Sequence, residues 1–437
     1  MKANLVPIET LGPCKYDSPY LGREGSTFIS DQEGVLYEVH QREITDHCEA
    51  GGLTFFELAG PRKRIFYNPK NLTCGIVTCG GLCPGLNNVI RAIVRELNEH
   101  YGVTDILGFR YGYSGLTANS KYEPLRLDAD NVDEIHDQGG TILGSSRGAQ
   151  DAKSIIKALL RRRVKILFTV GGDGTMKGAK AIADYKREKK LDISVVAIPK
   201  TIDNDINYVS RSFGFETAVQ SSMDIIENAH AEAKGFPNGV GLVKFMGRQS
   251  GFIAAYATLA SGDVNYCLIP EVPFILDGPG GFLESLKNRL KRKLHAVIVV
   301  AEGAGQELVR KPGEKAEFDP SGNIKLKDIG VYLKTEIEKY FEKIKMEVNV
   351  KYIDPSYIIR SVPANSMDSY YCLILGQCAV HAGMTGRTNM LVGSWNDHLI
   401  HVPISMATAE KKRVNPERRL WKTVMESTVQ SYSMFRK

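Results

Sequence analysis

Two short runs carry most of the chemistry in this chain. Pro199-Lys200-Thr201-Ile202-Asp203-Asn204-Asp205 sets two carboxylates and a hydroxyl on a turn after an apolar stretch. Gly171-Gly172-Asp173-Gly174-Thr175 sets one carboxylate among glycines at the end of another such stretch. A carboxylate in that setting suits a Mg-nucleotide, with backbone N–H groups toward phosphate and Asp173 toward the cation. Asp203, placed near a substrate hydroxyl, could take its proton as the oxygen attacks phosphorus. The pair reads as phosphoryl transfer. Each run also has a plainer explanation: Asp173 as a helix N-cap, and Asp203 with Asn204 as ordinary turn residues.

Other groups have chemistry of the same kind. Gly80-Gly81-Leu82-Cys83-Pro84-Gly85 joins a strand pattern to a helix pattern, as either a phosphate cradle or a tight turn. It is neither a GxGxxG nor a Walker loop. Arg147 closes Thr141-Ile142-Leu143-Gly144-Ser145-Ser146, and a guanidinium there could bridge phosphate oxygens. Met246-Gly247-Arg248, Glu302 and Tyr357-Ile358-Ile359-Arg360 add two guanidiniums and a carboxylate, the set a phosphorylated sugar needs. Taken singly, each fits a surface ion pair equally well. The nine histidines form no HxxxH, and no Ser/His/Asp nucleophile signature is present. The eight cysteines lack zinc spacing and read as reduced thiols of a cytosolic protein.

Elements that can position these residues follow from the hydrophobic pattern. Apolar runs at 72–78, 164–170, 193–198, 240–245 and 295–301 alternate with helical stretches near 155–163, 176–187, 215–234, 249–260, 281–293 and 331–345. Leu86, Val89, Ile90, Ile93, Val94 and Leu97 share one further helical face. Near-continuous apolar strands between amphipathic helices imply parallel sheets covered on both faces, with ligands beyond the strands' carboxyl ends. Residues 1–70 stand outside this alternation, with only strand-like pieces at 34–39 and 53–58. Residues 303–330, with Pro312 and Pro320, read as a long surface loop.

The bulk numbers set bounds. At 437 residues the chain holds two large domains or three small ones. Its 43% hydrophobic and 24% charged residues are those of a globular protein. A net charge of +6 is compatible with small anionic substrates, and no basic stripe with interleaved aromatics points to nucleic acid. Neither a signal-peptide core nor a membrane-length apolar run is found, so the expected location is cytoplasmic.

Taken in order, these motifs resemble the 6-phosphofructokinase family, from about residue 72 to about residue 403. The long first segment and the Tyr357–Arg360 pattern resemble its long branch, which holds both ATP- and pyrophosphate-using enzymes. The resemblance implies an α/β fold of two similar doubly wound parallel-sheet domains, with the active site in the cleft between them. It divides the chain into an N-terminal extension packed on the body (1–70), a nucleotide-binding domain (71–213) and a sugar-phosphate-binding domain (214–368). Residues 369–437 would return to the nucleotide domain and end in a tail.

It also implies roles. Asp203 would be the general base on the sugar 1-hydroxyl; Thr201 would act with it and contact the sugar phosphate or transferred group, Ile202 would line the substrate site, and Asp205 would lie beside them. Asp173 would hold Mg2+. Gly80, Arg147, Gly148, Gly172, Gly174 and Thr175 would contact the ATP phosphates, and Arg147 would also stabilise the transferring group. Met246, Gly247, Arg248, Glu302, Tyr357 and Arg360 would hold fructose 6-phosphate. Tyr113 would stack near the adenine. A glycolytic, allosteric kinase forming a homodimer or homotetramer is the expectation.

Donor choice turns on Gly174 and Lys200. Pyrophosphate-using relatives typically have Asp where Gly174 stands, and its charge would repel the nucleotide's α-phosphate. Lys200 replaces the glycine usual in short bacterial ATP enzymes and is common in pyrophosphate enzymes. Gly174 bears on ATP fit more directly, so ATP is the expected donor and pyrophosphate the alternative. NAD and lipid kinases share Gly-Gly-Asp-Gly-Thr but do not explain the other motifs. A non-catalytic regulatory subunit is the rival from another class, against which both Asp173 and Asp203 are retained. Two positions depart from the short enzymes: Gly239 and Lys351 stand where they carry arginines that reach across a subunit interface. Arg91 and Arg95 match two effector-site arginines of those enzymes, or are exposed cations on an amphipathic helix.

Overall fold

A computed structural model describes residues 3–50, 52–311, 313–315, 317, 318 and 324–435. The chain forms two compact units. One runs up to Thr201 and adds Ile206–Gly214 and Ser361–Lys411; the other comprises Ile202–Asp205, Phe215–Arg360 and the chain from Lys412 on.

The first unit is built on a seven-stranded sheet. In spatial order its strands are His398–Pro403, Met390–Trp395, Ser194–Pro199, Val164–Gly171, Thr73–Thr78, Asp105–Phe109 and Leu125–Leu127. The five central strands are parallel, and each edge strand is antiparallel to its neighbour. The Thr73–Thr78 and Ser194–Pro199 strands are buried at every position, because helices lie on both faces. The two-residue period sorts their side chains. Leu167, Val195 and Ala197 pack with Ile155, Ile156 and Leu159 of helix Ala152–Arg161 and with Met176, Ile182 and Ala183 of helix Asp173–Glu188. Against Ile166 and Phe168 lies Gly383 of helix Ser366–Met384. Asp151 caps the first of these helices, accepting from Lys153 N and Ser154 N, so that helix begins before the apolar periodicity does.

The described residues ahead of Thr73 belong to this unit. Ala3–Leu5, Leu53–Glu57 and Gly34–Leu36 form a small sheet, and Gln41–Ala50 is a helix that the sequence pattern did not suggest. Trp395 Nε1 donates to Tyr37 O at 3.0 Å, with the rings stacked at 5.0 Å. The Arg62 and Arg387 guanidiniums both bond Glu57, beneath the sheet edge. Burial pushes the Glu57 carboxyl up, but His401 and Arg387 more than reverse this and hold it well below the usual carboxylate range.

The second unit holds an all-parallel sheet in the order Tyr266–Leu268, His295–Ala301, Gly239–Phe245, Asn349–Ile353. On one face Val240, Leu242, Ile298 and Val300 pack with Leu286 and Leu290 of helix Phe282–Lys293 and with Leu333 and Ile337 of helix Ile329–Lys343. On the other, helix Phe215–Lys234 comes close enough that a Cβ at Gly239 or Gly241 would overlap the backbone of Ala233 or Ala229. An arginine at 239 therefore has no room in this fold.

From Lys412 the chain belongs to this second unit rather than trailing from the first. The reason is packing: Gln430 Oε1 accepts from Cys267 N at 2.8 Å, Phe435 bridges Phe274, and Trp421 is buried. In the stretch expected to be a loop, Gln306–Val309 is a short helix, while Pro312 and Pro320 lie outside the described residues.

Candidate active site

In the first unit, three adjacent parallel strands end together. Register pairs Thr78 with Val170 and Gly171 with Pro199, so the loops after these strands lie side by side. Lys200 N donates to Gly171 O at 2.9 Å, and the buried Lys200 ammonium bonds the carbonyl of Gly81. Gly80 takes φ +87°, donates to Ser146 O at 3.0 Å and accepts from Ser145 Oγ at 2.6 Å. The Gly80 loop and the segment leading to the exposed Arg147 and to Gly148 are thus one assembly, joined also by Thr78 Oγ1 donating to Gly144 O at 2.8 Å.

Gly171, Gly172 and Gly174 do different jobs. A Cβ at Gly171 would overlap the Thr175 side chain. Gly172 is the cap residue of helix Asp173–Glu188 and makes no side-chain cap bond. Gly174 is exposed, its φ is not positive, and a Cβ there would meet nothing within 4 Å. Packing does not require a glycine at 174. Asp173 occupies the first helical turn, so its carboxylate is not spent as the cap; it pairs with Lys177 Nζ at 2.9 Å. Positive dipole at that helix end favours anions. Among the described residues no three His, Cys, Asp or Glu gather as a ready metal cage. Mg2+ still fits, since that ion commonly takes one carboxylate with water and phosphate oxygens.

Tyr113 corrects one expectation. Its hydroxyl donates to Thr175 O at 2.8 Å, and its ring is buried against Gly178. It supports the helix that carries Asp173, and no ring face is open for a base. Arg91 and Arg95 are paired with acids: Arg91 Nη2 lies 3.0 Å from Asp133, and Arg95 Nη2 lies 2.8 Å from Glu99. In the same unit, Thr201 O accepts from Ser212 Oγ at 2.6 Å.

The second unit carries the turn Ile202–Asp205 and the residues read as binding sugar phosphate. Asn204 takes the left-handed φ of +52°, so the turn geometry rests on Asn204 and not on Asp203. Ser250 Oγ donates to Asp203 O at 3.1 Å, Lys412 N to Asp205 O at 3.0 Å, and Lys412 Nζ to Asn204 Oδ1 at 3.0 Å. Burial pulls the Lys412 ammonium down to about 7, against the opposing effect of Asp205.

Strand register pairs Phe245 with Ala301, which sets Met246 and Gly247 beside Glu302. Glu302 N donates to Phe245 O at 2.8 Å and Gly303 N to Gly247 O at 3.1 Å. Burial raises the Glu302 carboxyl; the charges of Arg248, Lys244 and Arg360 partly offset this, and that of Asp354 adds to it. The Arg360 guanidinium lies 4.6 Å from the exposed Tyr357 ring. Arg248 Nη1 donates to Ile324 O at 3.3 Å. Lys351 Nζ lies 4.8 Å from the Phe236 ring.

Sequence reasoning missed Lys244, Glu271 and Lys412. Lys244 Nζ lies 2.9 Å from Asp328 and 2.8 Å from Asp354, tying the strand end to the segment that leads to Tyr357 and Arg360. A lysine inside an otherwise apolar strand was its signal. Glu271 and Lys412 had none, because their partners are distant in sequence.

Comparison with known proteins adds the following. A family model described as phosphofructokinase matches residues 73–383. An ATP-dependent 6-phosphofructokinase of Borreliella burgdorferi is 46% identical over 437 residues, covering 98% of this chain and 97% of the relative. One of Amycolatopsis methanolica is 46% identical, covering 97% and 94%. Among solved structures, a pyrophosphate-dependent phosphofructokinase from Marinobacter aquaeolei superposes with a TM-score of 0.67 at 16% identity, over 82% of this chain and 92% of that one. At that identity the likeness is one of fold.

Proposed function

This chain belongs to the phosphofructokinase family, and on that premise we propose that it moves the γ-phosphoryl of ATP to the 1-hydroxyl of fructose 6-phosphate. The products are fructose 1,6-bisphosphate and ADP. Relatives matching nearly the whole chain are named for ATP dependence, which supports this donor. The observation that carries it is Gly174, exposed and unforced by packing, at the position where a carboxylate would repel a nucleotide.

In this reading Asp203 accepts the proton of the 1-hydroxyl as that oxygen attacks phosphorus. Thr201 and Ile202 flank it. Gly80, Gly148, Gly172, Gly174 and Thr175 present backbone to the nucleotide phosphates, and Arg147 spreads the charge of the transferring group. Mg2+ held by Asp173 would neutralise phosphate charge. Met246, Gly247, Arg248, Tyr357 and Arg360 bind the sugar phosphate, while Glu302 takes sugar hydroxyls. Little covalent work falls to the protein, so catalysis is positioning plus electrostatics. Allosteric control, a homodimeric or homotetrameric assembly and a cytoplasmic setting belong to the same reading.

One observation favours a second donor: the buried Lys200 ammonium on the Gly81 carbonyl, a cation pyrophosphate could use. Parallel steady-state assays with fructose 6-phosphate and Mg2+, one with ATP and one with pyrophosphate, decide between them. Turnover with ATP alone is expected. Turnover with pyrophosphate alone would overturn the Gly174 argument, and turnover with neither would restore the regulatory-subunit reading.

A further inference from the structure

Segments remote in sequence hold the turn that carries Asp203. Asp203 O accepts from Ser250 Oγ at 3.1 Å, Asp205 O from Lys412 N at 3.0 Å, and Asn204 Oδ1 from Lys412 Nζ at 3.0 Å. The two anchoring segments are joined to each other by one atom. Glu271 Oε1 accepts from Gly251 N at 2.9 Å and from Val414 N at 2.8 Å. Ser250-Gly251, Glu271 and Lys412-Arg413-Val414 therefore close a ring of hydrogen bonds around the turn. The lysine is held in place from another side as well, its Nζ 5.3 Å from the Phe252 ring.

Such a ring has work to do. The direction of the Asp203 carboxylate follows its backbone, and the neighbouring Asn204 sits at φ +52°, a left-handed conformation that Asn tolerates and that its bond from Lys412 fixes. Lys412 fixes both the side chain of that residue and the carbonyl after it. It lies beyond residue 383, where the family match ends.

We propose that Lys412 is a positioning residue for Asp203, holding the Asn204–Asp205 half of the turn so that the carboxylate meets the substrate hydroxyl in line. The proposal rests on the reading of Asp203 as the base. Loss of Lys412 should lower kcat and leave both substrate KM values near wild type, because binding groups lie elsewhere while the base is misaimed. A misplacement of about 1 Å can cost about 10²-fold in rate, so Lys412→Met is expected to lose roughly 10- to 100-fold in kcat. Lys412→Arg, which keeps a cationic donor, should recover most of it.

The test is steady-state kinetics on the full chain for Asp203→Asn, Lys412→Met, Lys412→Arg and the Asp203→Asn/Lys412→Met pair, with thermal unfolding midpoints alongside. The expected result is a kcat loss in Lys412→Met, its recovery in Lys412→Arg, and no further loss when Lys412→Met is added to Asp203→Asn. Wild-type kcat in Lys412→Met beside a collapsed Asp203→Asn overturns the positioning role alone. So do losses that multiply in the double variant, or a Lys412→Met that changes only its unfolding midpoint. Near wild-type kcat in Asp203→Asn overturns the base reading and this inference together. Should Lys412→Met fail to fold, Asn204→Gly decides by the same criteria, since it permits the positive φ and removes the acceptor.

Discussion

Asp173 stands on a loop made by its own neighbours, whereas Asp203 stands on a turn made by segments far along the chain. Around Asp173 a strand ends, Gly171 admits the Thr175 side chain, Gly172 turns the backbone, and the helix starts. Two ties reach it from elsewhere, Lys200 N on Gly171 O and the Tyr113 hydroxyl on Thr175 O. Around Asp203 the left-handed Asn204 is local, while Ser250 and Lys412, whose segments meet on Glu271, hold the turn from positions far along the chain. In the proposed roles, Asp173 would share a cation with water and phosphate oxygens, which supply most of its ligands. A base has to meet one proton along one line, so its backbone needs holding.

Three experiments test that contrast. The largest effect is expected from Asp173→Asn, which should raise the barrier by several kcal/mol and lower turnover by roughly two decades. Raising Mg2+ should restore part of that turnover, and none of the loss in Asp203→Asn. Equal response of both variants in a Mg2+ titration would erase the division of roles.

Next comes the local loop. Gly171→Ala places a methyl into the Thr175 side chain and should destabilise by about 1–3 kcal/mol. Gly174→Ala meets nothing and should stay within about 0.5 kcal/mol of wild type. Urea unfolding of the two variants checks this, and similar losses would mean that 174 is a packing glycine after all.

Gly174→Asp should change donor use alone. Its kcat/KM with ATP should fall about tenfold, or ~1.4 kcal/mol. Its stability, and any activity with pyrophosphate, should be unchanged. Equal loss with both donors would count against the charge-repulsion account.

Much of the fold was legible in the sequence. The run at 164–170 is the strand Val164–Gly171, and the run at 295–301 is His295–Ala301, because strands buried on both faces must be apolar at nearly every position. Helix starts are less legible: the stretch near 155 begins at Ala152 and the one near 176 at Asp173, while that from 249 begins only at Phe252. Polar first turns carry no apolar period, and only a cap reveals them. Helix Gln41–Ala50 was missed for the same reason, being mostly polar and exposed.

At the candidate site, local sequence sets which residue types are present: carboxylates after strands, glycines at turns, and arginines close to both. Strand periodicity also placed most of them at carboxyl ends. Only the tertiary structure decided which loops share an end, as Phe245 and Ala301 do in bringing Met246 and Gly247 beside Glu302. It alone enclosed Tyr113 beneath a helix, left Gly174 open, and brought Lys412 onto the Asn204 side chain. The physical reason is range. Turn and strand preferences come from sterics within a few residues, while a hydrogen bond between positions 204 and 412 exists only after the sheet has brought the chain back.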